Sequence, residues 1–501
     1  MTLPRRTRSR LPLRRLVLAA GASASAIALA TGHARQALAV SGTTAAQPRG
    51  PPAFTGATSA AVAMGAVAAA GTSAASAQRE QVQLKGSSLT TSMLNLSKNI
   101  IGAGMLSLPF AMKGAGVLPF LLGLALMGGL NAYSFYLLGW CCNVTGAKSF
   151  GELWSKTFGQ KSAWVADVSV LLNNSLACLA YTVLIGDFIS KSLKGLLPSM
   201  LALHSRGTDL ALVAAFLLVP LSLLKDLSPL RFSSLAGLAA TAYGFMLVTS
   251  DCAAQVALGD PAGPVLQNFF PMRVDFFSAL ALLSSAFMAH YNSPKYYADL
   301  QDNTMPRFAN LVFGAFGLAF VVFAAFGFSG FALFGFGVEG NVLKNYGGGT
   351  KALLAWLGMA FSVIFTYPLV FSTFRDSAGA LLSRLGLVSD TSSSSFRTPF
   401  TIAAIALTAL GGAVFSNVAV VNGIKGAVLS SCLAFIYPAI IHLKLTGAGS
   451  DTTEPTKASS SKAMRVASYS LIGVGIVSGI LALLAMFVLP RTDFSQFTKA
   501  R

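Results

Sequence analysis

The sequence predicts an all-α integral membrane protein of about eleven membrane-crossing helices, the first and sixth of them interrupted. Three observations carry this reading. Hydrophobic residues make up 54% of the chain and charged residues only 11%, and mean hydropathy is +0.66, far from the balance of a soluble domain. Apolar runs long enough to cross ~30 Å of hydrocarbon recur from Leu89 onward. Two of these runs are punctuated by glycine, proline and polar residues, for which a lone membrane helix has no use.

Residues 1–88 read as a separate, low-complexity segment on which no fold should be forced. Residues 1–79 hold nine arginines and no Asp or Glu, which accounts for +9 of the formal net charge of +19. Arg-rich, Ser-rich, acid-free composition resembles an organellar transit peptide. A cytosolic tail, or a secretory signal with Leu16–Ala30 as its apolar stretch, fits the same residues. In a membrane protein such a basic segment suits targeting or contact with anionic lipid, so no nucleic-acid partner is expected. Residues 89–490 form the membrane domain and 491–501 a short tail. Cys141, Cys142, Cys178, Cys252 and Cys432 lie in or beside apolar runs without a CxxC pair, so neither a disulfide framework nor a metal site is expected.

The predicted spans run about 92–112, 117–141, 163–190, 210–224, 231–250, 275–294, 308–335, 352–374, 399–417, 424–443 and 466–489. The fourth is short and holds Pro220. With the N-terminus in the cytosol, the inside loops carry 14 Lys and Arg against 11 outside, the direction of the positive-inside bias. Between spans 2 and 3, Phe150, Leu153, Trp154 and Phe158 recur at helical spacing, which reads as an amphipathic helix lying on the membrane surface.

Span 1 opens with Asn95–Pro109, NLSKNIIGAGMLSLP. Glycine inside a helix costs ~1 kcal/mol against alanine, and proline removes a backbone hydrogen bond. Broken backbone at membrane depth is tolerated only where protein or a cavity surrounds it. Span 6 ends SSAFMAHYNSPKYYADL and breaks regularity in the same way with His290, Asn292 and Pro294. Spans 1 and 6 are the first members of two groups of five. Corresponding broken helices in two halves mark inverted-repeat transporters with a site near the midplane between them. The freed N–H groups and the positive end of a half-helix attract a carboxylate. Freed carbonyls on the other half-helix accept an ammonium or a cation. An α-amino acid carries both charges on one carbon, and Gly102-Ala103-Gly104 lets it approach the backbone closely.

NLSKNIIGAGMLSLPFAMKGAG resembles the first helix of the amino acid/auxin permease family, within the amino acid–polyamine–organocation superfamily. SSAFMAHYNSPKYYADL is similar to that family's sixth helix, GFGVEGNVLKNYG to the loop after helix seven, FTYPLVFSTFR to the end of helix eight and GIKGAVLSSCLAFIYPAIIHLKL to helix ten. The resemblance covers roughly residues 88–489 and looks nearest to the sodium-coupled neutral and the vacuolar amino acid transporters. It implies a LeuT-type five-plus-five inverted repeat working by alternating access. By carry-over, Gly102, Ala103 and Gly104, flanked by Asn99 and Met105, receive the substrate carboxylate, and Phe287 and His290 lie near its side chain. Sodium-coupled members carry NLSN where this chain has NLSK, so Lys98 replaces an asparagine.

Other polar residues are weighed singly. Asn174 and Tyr181 are seven apart on one face of span 3 and suit a vestibule or interhelical glue. His290 suits substrate contact, proton sensing or a helix-end hydrogen bond. Ser362 and Thr366 are four apart on one face of span 8, where the resemblance implies a sodium ion between this helix and the first, and bonds to their own backbone are the alternative. Asp187 sits a turn from Lys191 near the membrane edge, where it is paired or snorkels, and His442, in the last turn of span 10, is interfacial. His33 and His204 lie outside the spans.

There is no GxxxxGK[ST] loop and no HExxH, so gradient-driven transport is expected rather than ATP-driven transport or enzyme activity. The expected substrate is a neutral amino acid and the expected coupling is to protons, through Lys98, or exchange. Sodium symport and a transporter-like receptor are the alternatives. The membrane is that of an organelle (vacuole, plastid or mitochondrion) or the plasma membrane, and no cofactor is expected.

Overall fold

Glycine and proline decide where the first span stops and restarts. In the computed structural model, which describes residues 86–196, 205–224, 230–258, 262–271, 273–447 and 461–489, span 1 begins with helix Leu89–Ile100. Its start is capped by the Ser88 side chain, which accepts from the Thr91 amide at 3.3 Å. The helix ends as Ile101 turns to ψ 76° and Gly102 runs extended at φ −118°, ψ −158°. A 3₁₀ turn, Ala103–Ser107, follows. The chain then re-enters an α-helix, Leu108–Ala115, with Pro109 in its first turn, where a missing N–H costs nothing.

Span 6 repeats this grammar. Helix Asp275–Ala286 ends at Phe287, a 3₁₀ turn spans His290–Asn292, and Ser293–Asp299 restarts the helix with Pro294 in its first turn. The remaining spans are Val117–Thr145 (span 2), Trp164–Leu196 (span 3), Arg206–Leu223 (span 4), Leu230–Ala257 (span 5), Met305–Phe334 (span 7), Thr350–Arg384 (span 8), Ser394–Val414 (span 9), Val418–Leu445 (span 10) and Lys462–Phe487 (span 11). All eleven expected spans are present.

Their packing repeats with a period of five. Span 1 packs on span 6, 2 on 7, 3 on 8 and 4 on 9. The diagonal pairs repeat as well: 1 with 7 and 2 with 6, 3 with 9 and 4 with 8, 3 with 10 and 5 with 8, 2 with 10 and 5 with 7. A unit of five crossings, an odd number, ends on the face opposite its start, so the second unit is inverted relative to the first. Span 11 stands outside the pattern, against spans 6 and 10. Small residues let the helices meet closely. A Cβ on Gly139 would overlap the Phe308 ring, and one on Gly412 would fall 2.6 Å from Thr182 Oγ1.

One end of the repeat pair is plugged. Lys113 Nζ donates to the Val338 carbonyl at 2.8 Å. Asn268 Nδ2 reaches the carbonyls of Met112 and Lys113, each at 3.2 Å. Gly116, at φ +92°, turns span 1 into span 2 so close to the Pro271 carbonyl that no side chain fits.

Packing corrects the readings of helix Phe150–Phe158 and of His442, and it gives Asp187 its partners. Phe150, Leu153 and Trp154 of helix Phe150–Phe158 are buried, with Trp154 edge-on to Tyr437 of span 10 at 4.9 Å. The apolar face of that helix is therefore covered by protein rather than laid on lipid. Asp187 pairs with Arg206 at 3.3 Å and Lys344 at 4.0 Å, whereas Lys191 donates to the Lys344 carbonyl at 3.2 Å. His442 is also buried, 2.9 Å from Ser468 Oγ. Residues 1–85, 197–204 and 490–501 lie outside the described residues, and with them nearly all of the two terminal segments read from composition, His33 and His204.

Candidate functional site

The two breaks frame a cavity of about 510 Å³, a volume suited to a small molecule. Span 1 contributes Asn95, Lys98 and Asn99 from its first half and the whole unwound stretch Ile101–Gly104. Span 6 contributes Ser285, Ala286, Met288, Tyr291 and Asn292. Asn173 and Tyr181 come from span 3, Thr241 from span 5, Ser362, Thr366 and Thr373 from span 8, and Asn422 and Lys425 from span 10. Asn95 and Asn99 are exposed, so the cavity extends from the breaks toward the face on which span 1 begins. The opposite face is the plugged one.

The backbone supplies charge complementarity without side chains. The carbonyls at the end of Leu89–Ile100 meet the gap as the negative end of a half-helix. The amides of Ala103 and Gly104 open the next turn, where the first N–H groups have no partner within their own helix. The Met105 amide is already bonded to the Gly102 carbonyl at 3.1 Å. Among the described residues, no atom beyond the chain neighbours lies within 4 Å of where a Gly102 Cβ would stand. One strip of main chain thus offers both helix-start N–H donors and helix-end carbonyl acceptors.

Of the residues expected at the site, the cavity brings together Lys98, Asn99, Gly102, Ala103, Gly104, Tyr181, Ser362 and Thr366. Met105, Asn174, Phe287 and His290 lie elsewhere. Met105 is fully buried in the core behind the 3₁₀ turn. His290 points into span 2, where its Nε2 donates to the Asn131 carbonyl at 3.1 Å and lies 2.8 Å from Ser134 Oγ. Phe287 stacks on Phe316 and sits edge-on to Phe323, both of span 7. Asn174 is buried beside Asn173, whose Nδ2 lies 3.4 Å from its Oδ1. At a helix break each residue turns its neighbour to another side, so Ala286, Met288, Tyr291 and Asn292 face the cavity instead.

The hydroxyls of span 8 are engaged within the protein. Ser362 Oγ donates to the Gly237 carbonyl of span 5 at 3.2 Å, and Thr366 Oγ1 donates to the Ser362 carbonyl at 2.7 Å. Both residues line the cavity. Lys425 and Asn422 were not among the expected site residues. The only sequence signal was a lysine inside GIKG, at the edge of the predicted tenth span.

A family model described as "Transmembrane amino acid transporter protein" matches residues 85–483. A Danio rerio protein provisionally named sodium-coupled neutral amino acid transporter 11 is 29% identical over 72% of this chain and 80% of its own. Vacuolar amino acid transporter 2 of Saccharomyces cerevisiae is 25% identical over 72% of this chain and 77% of its own. Amino acid transporter AVT6B of Arabidopsis thaliana is 26% identical over 72% and 83%. Among solved structures, MhsT in complex with L-phenylalanine is similar at TM-score 0.48 and 14% identity, over 79% of this chain and 98% of that one. The family match spans both broken helices and all but the last turn of span 11, and with it the chain belongs to the transmembrane amino acid transporter family.

Proposed function

We propose that this protein moves α-amino acids across its membrane as a secondary transporter, by alternating access, driven by a proton gradient or by exchange. The observation that carries this reading is the strip Ile101–Gly104, where a half-helix end, two helix-start amides and an absence of bulky side chains meet a cavity. Such a strip binds the zwitterion common to all α-amino acids, neutral ones included. The cavity reaches toward one face while the other is plugged, as an alternating-access carrier requires in one of its end states.

Coupling to protons or exchange, rather than to sodium, is supported by Lys98. It lines the cavity on the same wall as the span 1 break, and an ammonium there repels a metal cation. The test is uptake of a mixed amino acid panel by the purified full chain in liposomes under imposed pH or sodium gradients. Accumulation driven by a pH gradient or by internal amino acid supports the reading. Accumulation only under an inward sodium gradient refutes the coupling, and no uptake of any amino acid refutes transport.

A further inference from the structure

We infer that Lys425, with Asn422, forms a subsite for a second carboxylate, so that the preferred substrate is a dicarboxylic amino acid. The inference rests on the transport reading above and narrows its substrate class. Helix segment Val418–Lys425 packs directly against the turn Ala103–Ser107 of span 1 and against the first half of span 6. Asn422 and Lys425 are three residues apart, hence on one face, and both line the cavity. The helix starts at Val418 behind its Asn417 cap, which places Lys425 ~10 Å along the axis from the membrane-domain end of the span.

Lys425 makes no hydrogen bond and no ion pair among the described residues. Among the described residues the cavity wall holds lysines at 98 and 425 and no aspartate or glutamate. Lys425 is only partly exposed, and an ammonium held at membrane depth without a counter-charge is costly and is kept where it has work to do. Its position is also fixed by structure. Immediately after it the chain widens into a π-helical stretch, Gly426–Ile436, a distortion that concentrates at functional sites. Gly426 lies so close to the Ala281 carbonyl that a Cβ would overlap it, which pins the backbone beside Lys425 to span 6.

With a neutral substrate, the α-carboxylate accepts from the freed N–H groups, the α-ammonium donates to the freed carbonyls, and the Lys425 charge stays uncompensated. A side-chain carboxylate compensates it through a charge-assisted hydrogen bond, and the Asn422 amide supplies a second donor. The amide analogues asparagine and glutamine have the same shape and lack that charge.

The experiment is uptake of L-aspartate, L-asparagine, L-glutamate and L-glutamine by the purified full chain in liposomes, for wild type, Lys425→Met and Lys425→Arg. In wild type each dicarboxylate is expected to be preferred over its amide by about tenfold or more. In Lys425→Met that ratio falls toward one, and in Lys425→Arg it is largely kept. A wild type without the preference overturns the inference while leaving transport intact. So does a Lys425→Met protein that loses aspartate and asparagine uptake in equal proportion, because the lysine then serves the amino acid backbone or the coupling. No uptake of any amino acid overturns the transport reading itself. Should Lys425→Met fail to fold, thermal shifts of the wild type decide: aspartate must raise the unfolding midpoint more than asparagine does, and an equal shift refutes the subsite.

Discussion

Gly104 of span 1 and Ala286 of span 6 face each other across the two helix breaks, close enough that a Cβ on Gly104 would stand 3.9 Å from Ala286 Cα. A single methyl fits there at ordinary van der Waals distance. The branched side chain of valine fills the space in front of the Ala103 and Gly104 amides. Gly104→Val is therefore expected to abolish amino acid uptake while the amount of folded protein falls much less. Normal uptake kinetics in that variant would place the substrate away from the breaks. Gly102, with open space where its Cβ would stand, is expected to tolerate alanine in folding and to lose affinity in proportion to the volume filled.

Hydropathy made all eleven spans legible, because a run of twenty apolar residues has one cheap destination in lipid. The breaks were legible because Gly102, Gly104 and Pro109 in span 1, and His290, Asn292 and Pro294 in span 6, have no other good reason to interrupt an apolar run. Side-chain direction at the breaks was not. His290 and Phe287 are near neighbours of Tyr291 and Met288, and once regular α geometry is lost the sequence carries no sign of which of them turns inward. On span 3 the heptad spacing of Asn174 and Tyr181 pointed to one face. The cavity is instead lined by Asn173, Ala177, Ala180, Tyr181 and Leu184, a helical stripe that contains Tyr181 and passes one residue to the side of Asn174. Lys425 was hidden by a boundary. A tenth span beginning near 424 puts it at the membrane edge, and the helix begins at Val418.

Close backbone approach between spans 6 and 10 makes a stability prediction. A Cβ on Gly426 overlaps the Ala281 carbonyl, and two backbones cannot both yield without opening the interface. Gly426→Ala is expected to destabilise the protein by ~1–3 kcal/mol, in the range of an overpacked core. The measurement is the thermal midpoint followed by size exclusion in detergent. Gly473 of span 11, with nothing within 4 Å of its Cβ position, is the comparison. Gly473→Ala is expected to leave the midpoint unchanged or raise it, since alanine is the better helix former. An unchanged midpoint in Gly426→Ala would show that spans 6 and 10 part easily.

The plugged face holds a second test. Asp187 of span 3 receives Arg206 of span 4 at 3.3 Å and Asn341 Nδ2 at 3.3 Å, and its side chain is only 3% exposed. Arg206 also donates to the carbonyls of Gly412, Ala413 and Val183, so one guanidinium ties spans 3, 4 and 9 together. Removing the carboxylate leaves that cation half-satisfied. Asp187→Ala is expected to cost ~3 kcal/mol, the lower end for a broken buried pair because Arg206 retains its carbonyl acceptors. Glu152→Ala, which removes the exposed partner of Lys156, is expected to leave the thermal midpoint unchanged. Equal effects of the two substitutions would mean that the Asp187 cluster is not structural.

The last prediction concerns Lys98 and the coupling ion. Lys98, Ser362 and Thr366 line one cavity, which joins the residue that departs from the sodium-coupled pattern to the hydroxyls that such a pattern uses. Each hydroxyl donates its proton to a carbonyl, at 3.2 Å for Ser362 and 2.7 Å for Thr366. Their oxygens therefore keep acceptor capacity, and they share the cavity with the Lys98 ammonium. Two like charges at 4 Å repel by ~4 kcal/mol at an effective dielectric of 20, enough to lower cation affinity about a thousandfold. Asparagine at 98 removes the charge and adds a carbonyl oxygen. With pH held constant and sodium replaced by choline, wild-type uptake is expected to be unchanged, whereas uptake by Lys98→Asn is expected to fall when sodium is removed. Strict sodium dependence of the wild type would refute the role given to Lys98. Sodium independence of both proteins would leave the hydroxyls of span 8 as packing groups and move the coupling step to another part of the cavity.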